Sequence, residues 1–173
     1  NLSYYLAKDK KKTLLVDFDP QGNATSGLGF NKNDADFGVT MTEVILGQAE
    51  ISAAIRPTKY KNFDLAPTTP ELANAEVEIT SMQKKFVRLR DAIRKVADNY
   101  DYVIIDPPPM ANVIDASVLS QYCDGSVFVI SQGNVKYHLA EKMIEQLGRS
   151  GCKLLGVALN KVDMKKSFLQ KSY

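Results

Sequence analysis

The feature that most constrains this chain is an alternation between short, unbroken apolar runs and stretches with helical periodicity. Thr13-Leu14-Leu15-Val16, Tyr102-Val103-Ile104-Ile105, Ser126-Val127-Phe128-Val129-Ile130 and Leu154-Leu155-Gly156-Val157-Ala158-Leu159 are apolar almost throughout. Runs of this kind suit strands buried on both faces, as in a parallel sheet. Phe63-Asp64-Leu65-Ala66-Pro67 reads as a further strand, closed by its proline. Between them, helices are predicted around 40–47 with Gly47 as a stop, 50–55, from Pro70 through Glu78, 81–98, 113–121 and 136–148. In the 81–98 stretch Phe86, Leu89, Ile93 and Val96 fall on one helical face. Strands alternating with amphipathic helices imply βαβ units. The expected fold class is therefore α/β, a mostly parallel sheet with helices on both faces.

At 173 residues, 45% hydrophobic and 24% charged, the chain is expected to form one domain over residues 1–173, with a real core. It opens on Asn1-Leu2-Ser3-Tyr4-Tyr5-Leu6-Ala7-Lys8, whose apolar positions 2, 5 and 6 share a helical face. This reads as the middle of a helix, so an N-terminally truncated domain is expected. The formal net charge of +2 argues for neither nucleic acid nor an anionic membrane, because binding needs clustered charge. No apolar run approaches the roughly 20 residues of a membrane span, so no direct membrane insertion is expected. Cys123 and Cys152 lack any metal-binding spacing and suit a reducing, cytoplasmic setting as small core residues.

Ligands of open parallel sheets bind at the carboxyl ends of strands. Carboxylates and an amide cluster at those ends here: Asp17 and Asp19 after the first strand, Asp106 after Tyr102–Ile105, and Asn160 with Asp163 after the last. Hydrolysis of a nucleoside triphosphate needs a carboxylate near Mg²⁺, a group orienting the attacking water, and a cradle for the phosphates. The first two have candidates.

Leu14-Leu15-Val16-Asp17-Phe18-Asp19-Pro20-Gln21-Gly22-Asn23-Ala24-Thr25-Ser26-Gly27-Leu28-Gly29 closely resembles the switch segment of ParA/Soj/MinD-type partitioning ATPases, which are P-loop ATPases. Pro70-Glu71-Leu72-Ala73-Asn74-Ala75-Glu76-Val77-Glu78 resembles a helix of that family, and Asp101–Asp106 with its prolines resembles the Walker B strand. This likeness spans residues 1 to about 109. Beyond it, Val113-Ile114-Asp115-Ala116, Cys123-Asp124-Gly125, Ser131-Gln132-Gly133-Asn134 and Leu155–Asp163 resemble the CpsD/CapB-type tyrosine kinases of capsule synthesis, from the same superfamily.

The resemblance implies ATP and Mg²⁺ as ligands. Asp19 would be the switch carboxylate that positions the hydrolytic water, Asp17 its partner near the Mg²⁺ shell, and Asp106 the acid holding a metal-bound water. Asn160 falls where the family contacts the base; Asn160-Lys161-Val162-Asp163 also matches the pattern by which GTPases read guanine, in which Asp163 would accept from the guanine N1 and N2 donors. A nucleotide-dependent homodimer is implied, with DNA and a centromere-binding protein as partners if ParA-like, or a membrane adaptor protein if kinase-like. The family's phosphate cradle, Lys-Gly-Gly-x-Gly-Lys-Thr-Thr, occurs nowhere in the 173 residues. Its backbone N–H groups and lysines hold the phosphates. Without it and its central strand, two open strand edges or an aberrant pairing, and no ATP turnover, are expected. Three functions stand as expectations: a ParA-like ATPase inactive in this chain, a capsule-synthesis tyrosine kinase, or a non-enzymatic interaction module.

Weaker signals have plainer readings. Lys8, Lys10, Lys11 and Lys12 suit a solvated helix-to-strand turn, though DNA contact is conceivable. Ser172-Tyr173, after Lys165, Lys166 and Lys171, suits an ordinary chain end more than a tyrosine-rich tail. His138, the single histidine, suits a partly exposed helix position.

Overall fold

The computed structural model describes residues 2–31, 37–79, 82–109, 113–133, 137–149 and 151–162. It contains helices α1 (Leu2–Lys8), α2 (Asn23–Gly27), α3 (Met41–Leu46), α4 (Ile51–Ala54), α5 (Leu72–Glu78), α6 (Met82–Arg94), α7 (Val113–Ser120) and α8 (Tyr137–Arg149). The strands are β1 (Thr13–Asp17), β2 (Arg56–Pro57), β3 (Phe63–Ala66), β4 (Tyr102–Asp106), β5 (Ser126–Ser131) and β6 (Leu154–Asn160). Two compact units result, residues 1–109 and 110–173.

In the first unit the strand order is β2-β3-β1-β4. β1 pairs in parallel with both β3 and β4, while β2 adds a short antiparallel edge that the sequence did not predict. All five residues of β1 are buried, which explains why its sequence is a continuous apolar run and not an alternating one. On one face Leu15 joins Ala7 of α1 with Phe63 and Leu65 of β3. Leu14 and Val16 point to the opposite face by the two-residue period and are fully buried there. Helix α3 packs against α4, α5 and α6.

Local chemistry sets the helix ends. Thr40 and Glu43 form a reciprocal capping box on α3, with Thr40 Oγ1 accepting from the Thr42 N–H at 3.2 Å and Glu43 Oε2 accepting from the Thr40 N–H at 2.8 Å. Gly47 closes the helix in the left-handed region at φ 78°, the stop expected from sequence. The Tyr100 hydroxyl donates to Asp64 Oδ2 at 2.9 Å, fastening the approach to β4 onto β3.

In the second unit β5 and β6 pair in parallel and form a two-stranded sheet of their own. Phe128 packs with Ala140, Met143 and Leu147 of α8. Gly125 precedes β5 where a side chain would meet Leu155 at 2.7 Å, so only glycine fits without displacement. Cys152 is buried and its Sγ lies 3.8 Å from the Cys123 carbonyl oxygen; burial, with Cys152 and Asp124 nearby, pushes the Cys123 thiol up to about 11. His138 is exposed on α8, and Lys8 to Lys12 are exposed between α1 and β1.

The expected strands and helices are present, and a fold with helices and a mostly parallel sheet is found. Among the described residues β4 is the last strand of its sheet, and no helix is long and apolar enough to cross a membrane. Asp163 and the Ser172-Tyr173 end lie outside the described residues. Truncating the centre of the first core is expected to be costly. Leu65→Ala should lower stability by about 2–5 kcal/mol in urea unfolding; a loss below about 1 kcal/mol would contradict the packing described.

Candidate functional site

β1 and β4 run in parallel and in register, so Asp17 and Asp106 end adjacent strands side by side, their backbones about 5 Å apart across the hydrogen-bonded pair. The Phe18 N–H then donates to the Asp106 carbonyl at 2.9 Å, carrying the pairing one residue past β1. Phe18 is fully buried. Its ring packs 6.3 Å from that of Phe86 on α6, and Lys85 Nζ lies 5.5 Å from the Phe18 ring centroid and 4.8 Å from that of Phe86. A buried cation over two aromatic faces is a favourable electrostatic contact. It anchors the residue between the two aspartates.

After Phe18 the chain turns sharply. The Gln21 N–H donates to Asp19 Oδ1 at 2.9 Å and the Gly22 N–H to the Asp19 carbonyl at 2.8 Å. Gly22 adopts φ 58°, a left-handed conformation that glycine takes without penalty, and α2 begins immediately after it. The polar segment read from sequence as a loop through Asn23 therefore ends in a short helix. That helix has a purpose. Thr25, fully buried in it, donates its hydroxyl to Asp17 Oδ2 at 2.6 Å and its N–H to the same oxygen at 2.7 Å. The Thr25 hydroxyl oxygen also accepts from the Thr68 N–H at 3.2 Å, and Asp17 Oδ1 accepts from the Asp19 N–H at 3.3 Å.

Asp17 is thus committed to holding the loop: both its oxygens already accept hydrogen bonds. Burial pushes its carboxyl above the ordinary range, against the hydrogen bonds from Thr25 that pull it down. Asp106 is more accessible, at the exposed end of β4. Its carboxyl is also raised, by partial desolvation and then by the negative charges of Asp17 and Asp19. Three carboxylates that repel one another at strand ends create a site that favours a cation. Among the described residues no group of three or more metal-ligand side chains is close enough to enclose an ion alone. Mg²⁺ commonly uses one or two carboxylates and keeps several waters, so the exposed carboxylate of Asp106 fits that ion, whereas Asp17 does not fit as a direct ligand and Asp19 is buried with its Oδ1 held by the Gln21 N–H.

Asp17, Asp19 and Asp106 therefore lie together in the first unit. Asn160 ends β6 in the second, exposed, with its Oδ1 accepting from the Lys161 N–H at 2.8 Å. Sequence reasoning missed Thr25, Thr68, Phe18 and Lys85 as parts of this site. Thr25 had one available signal, a hydroxyl eight positions after an aspartate at a helix start. Lys85 had none, since its place over Phe18 is a tertiary contact.

Two predictions test this geometry. Thr25→Val keeps the shape but removes a charge-assisted hydrogen bond to a buried carboxylate, and should cost about 1.5–3 kcal/mol. The raised carboxyls of Asp17 and Asp106 bind protons more tightly folded than unfolded, so their contribution to stability falls as pH rises through the raised values and recovers on acidification toward the ordinary carboxylate range. Asp106→Asn should therefore raise Tm at neutral pH without added Mg²⁺, and its advantage over the unmutated chain should shrink as pH is lowered. An advantage independent of pH would contradict the mutual repulsion.

Comparison with known proteins gives the chain's family and fold. Residues 1–151 match the AAA_31 family, described as an AAA domain. The chromosome partitioning protein ParA of Myxococcus xanthus is 43% identical over 120 residues, covering 69% of this chain and 42% of that protein. The tyrosine-protein kinase CpsD of Streptococcus agalactiae is 32% identical over 163 residues, covering 94% of this chain and 68% of that protein. The chain thus spans less than half the length of the partitioning relative. Cobyrinic acid a,c-diamide synthase from Mycobacterium smegmatis, solved with a bound ATP analogue and magnesium, superposes with a TM-score of 0.80 at 24% identity, over 98% of this chain and 72% of that one. At that identity the likeness shows the fold alone. With the family match covering most of its length, this chain belongs to the AAA_31 family of AAA domains, among relatives that include ParA-type P-loop ATPases and CpsD kinases.

Proposed function

We propose that this chain carries the carboxylate-switch part of a ParA-like, ATP-driven dimer switch that serves chromosome or plasmid partitioning in the cytoplasm. The observation supporting this reading is the loop that Asp17 and Thr25 lock, which presents Asp19 beside Asp106 at the ends of two adjacent parallel strands. In this role Asp19 orients the attacking water, Asp17 fixes the loop that carries Asp19, and Asp106 holds a water of the Mg²⁺ shell. Asn160 and Asp163 serve the base of the nucleotide. DNA, a centromere-binding protein and a second copy of the chain are the partners that go with this function.

The 173 residues contain no glycine- and lysine-rich phosphate cradle, and carboxylates alone repel a triphosphate. As a 173-residue polypeptide the chain is therefore proposed to be inactive. One observation favours a second reading, a tyrosine kinase of capsule synthesis with a membrane adaptor: the likeness to CpsD runs over 94% of this chain.

Phosphate release with Mg²⁺ and ATP should stay at background for the 173-residue chain. Joining a cradle-bearing segment from a relative ahead of Asn1 should yield Mg²⁺-dependent turnover that Asp19→Ala abolishes. Turnover by the 173-residue chain that Asp19→Ala abolishes would overturn the proposed inactivity. Phosphotyrosine formation by the fused protein, without net phosphate release, would replace the partitioning role with the kinase one.

A further inference from the structure

Away from the carboxylates, the end of α1 and the turn between β2 and β3 enclose an open cleft of about 590 Å³, lined by Tyr4, Ala7, Lys8, Lys10, Lys59, Tyr60, Lys61 and Asn62. We propose that this cleft binds a segment of single-stranded nucleic acid, with its phosphates on the lysines and a base on the tyrosine wall.

Charge is the first argument. The whole chain carries a formal charge of only +2, yet four of the lining side chains are lysines and none is acidic. Asp9 lies between two of them in sequence but does not line the cleft. This is the clustering that a small net charge conceals and that phosphate recognition requires.

The second argument is aromatic. Tyr4 and Tyr60 meet edge to face with centroids 5.0 Å apart, Tyr4 and Tyr5 do so at 5.4 Å, and Tyr60 stacks on Phe63 at 6.3 Å. Lys59 Nζ lies 5.3 Å from the Tyr60 ring centroid. Of the two lining rings Tyr4 remains 36% exposed while Tyr60 is half-buried against the core, and Tyr5 braces Tyr4 from outside the lining. Exposed, mutually braced rings beside lysines are the combination on which unpaired bases stack. Bases already stacked in a duplex cannot use it, which selects the single strand.

Backbone conformation supplies the third. Lys10 and Asn62 both line the cleft in the left-handed region, at φ 62° and 61°. At Lys10 the cause is a Schellman closure of α1, with the Lys11 N–H donating to the Leu6 carbonyl at 3.1 Å and the Lys10 N–H to that of Ala7 at 3.0 Å. Glycine is the favoured residue at such a position. A lysine there is a local cost to the fold that brings a charge to the cleft's rim. The floor is firm, because the Thr13 N–H of β1 donates to the Asn62 carbonyl at 2.9 Å.

The test uses the 173-residue chain and fluorescein-labelled dT12, followed by fluorescence anisotropy at low salt. Binding is expected, with log K falling against log salt at a slope of about −2 to −3, or some −0.7 per lysine engaged. Tyr4→Ala should weaken it by roughly 5- to 100-fold, and Tyr4→Phe should restore it. Lys10→Gly separates binding from folding: it should raise Tm by about 2–4 °C while weakening dT12 several-fold. The proposal is overturned if dT12 does not bind, if Lys10→Gly and Tyr4→Ala leave its affinity unchanged, or if a matched duplex, or an acidic peptide in competition, binds more tightly than dT12 and is weakened by Lys10→Gly, the sign that it occupies this cleft and not another surface.

Discussion

The first unit depends on a strand buried on every side that ends in a charge. Among the described residues β1 is the only strand there flanked by two parallel neighbours, and all five of its residues are buried, including Asp17. A buried carboxylate is tolerable only when its oxygens are satisfied. Thr25 supplies two of the required donors and the Asp19 N–H a third. That requirement dictates the path of the chain beyond β1. The backbone must turn at Gly22, α2 must begin immediately, and Asp19 is carried to the same end of the sheet as Asp106.

Much of this was legible in the sequence, for reasons that can be stated residue by residue. Leu14, Leu15 and Val16 form an uninterrupted apolar run because both faces of β1 are covered, and Gly47 stops α3 because its φ is positive. Gly22 and Pro20 marked a turn correctly, but the short helix behind it has too few residues to show periodicity. β2 was hidden for a similar reason. It has two residues, one of them Pro57, and is defined only by its antiparallel pairing with β3. The three acids were found by their positions at strand ends. Thr25, Thr68, Phe18 and Lys85 act through contacts between residues far apart along the chain, and no local pattern encodes those.

The roles within the carboxylate cluster are unequal, and the inequality comes from hydrogen bonding more than from charge. Asp17 spends its acceptors on the protein itself, whereas Asp106 faces solvent beside two negative neighbours. Identical side chains therefore divide into one that builds, Asp17, and one open to a ligand, Asp106, with the buried Asp19 between them in accessibility. The aspartate–phenylalanine–aspartate sequence makes this division possible. Phe18 is buried beside Lys85 between two aspartates that are themselves buried, Asp17 at 0% and Asp19 at 7% exposure.

The small sheet of the second unit has a different consequence. Val127 and Val129 on β5, and Leu155, Val157 and Leu159 on β6, are between 44% and 67% exposed. The stretch from Ser126 to Ser131 also lacks any charge or proline. Uncovered, uncharged β-rich segments template their own lengthening into fibrils. The consequence expected for this polypeptide is colloidal: loss to aggregates should grow with concentration, shaking and storage time. A lysine or glutamate in place of Val129 would act as a gatekeeper against that loss.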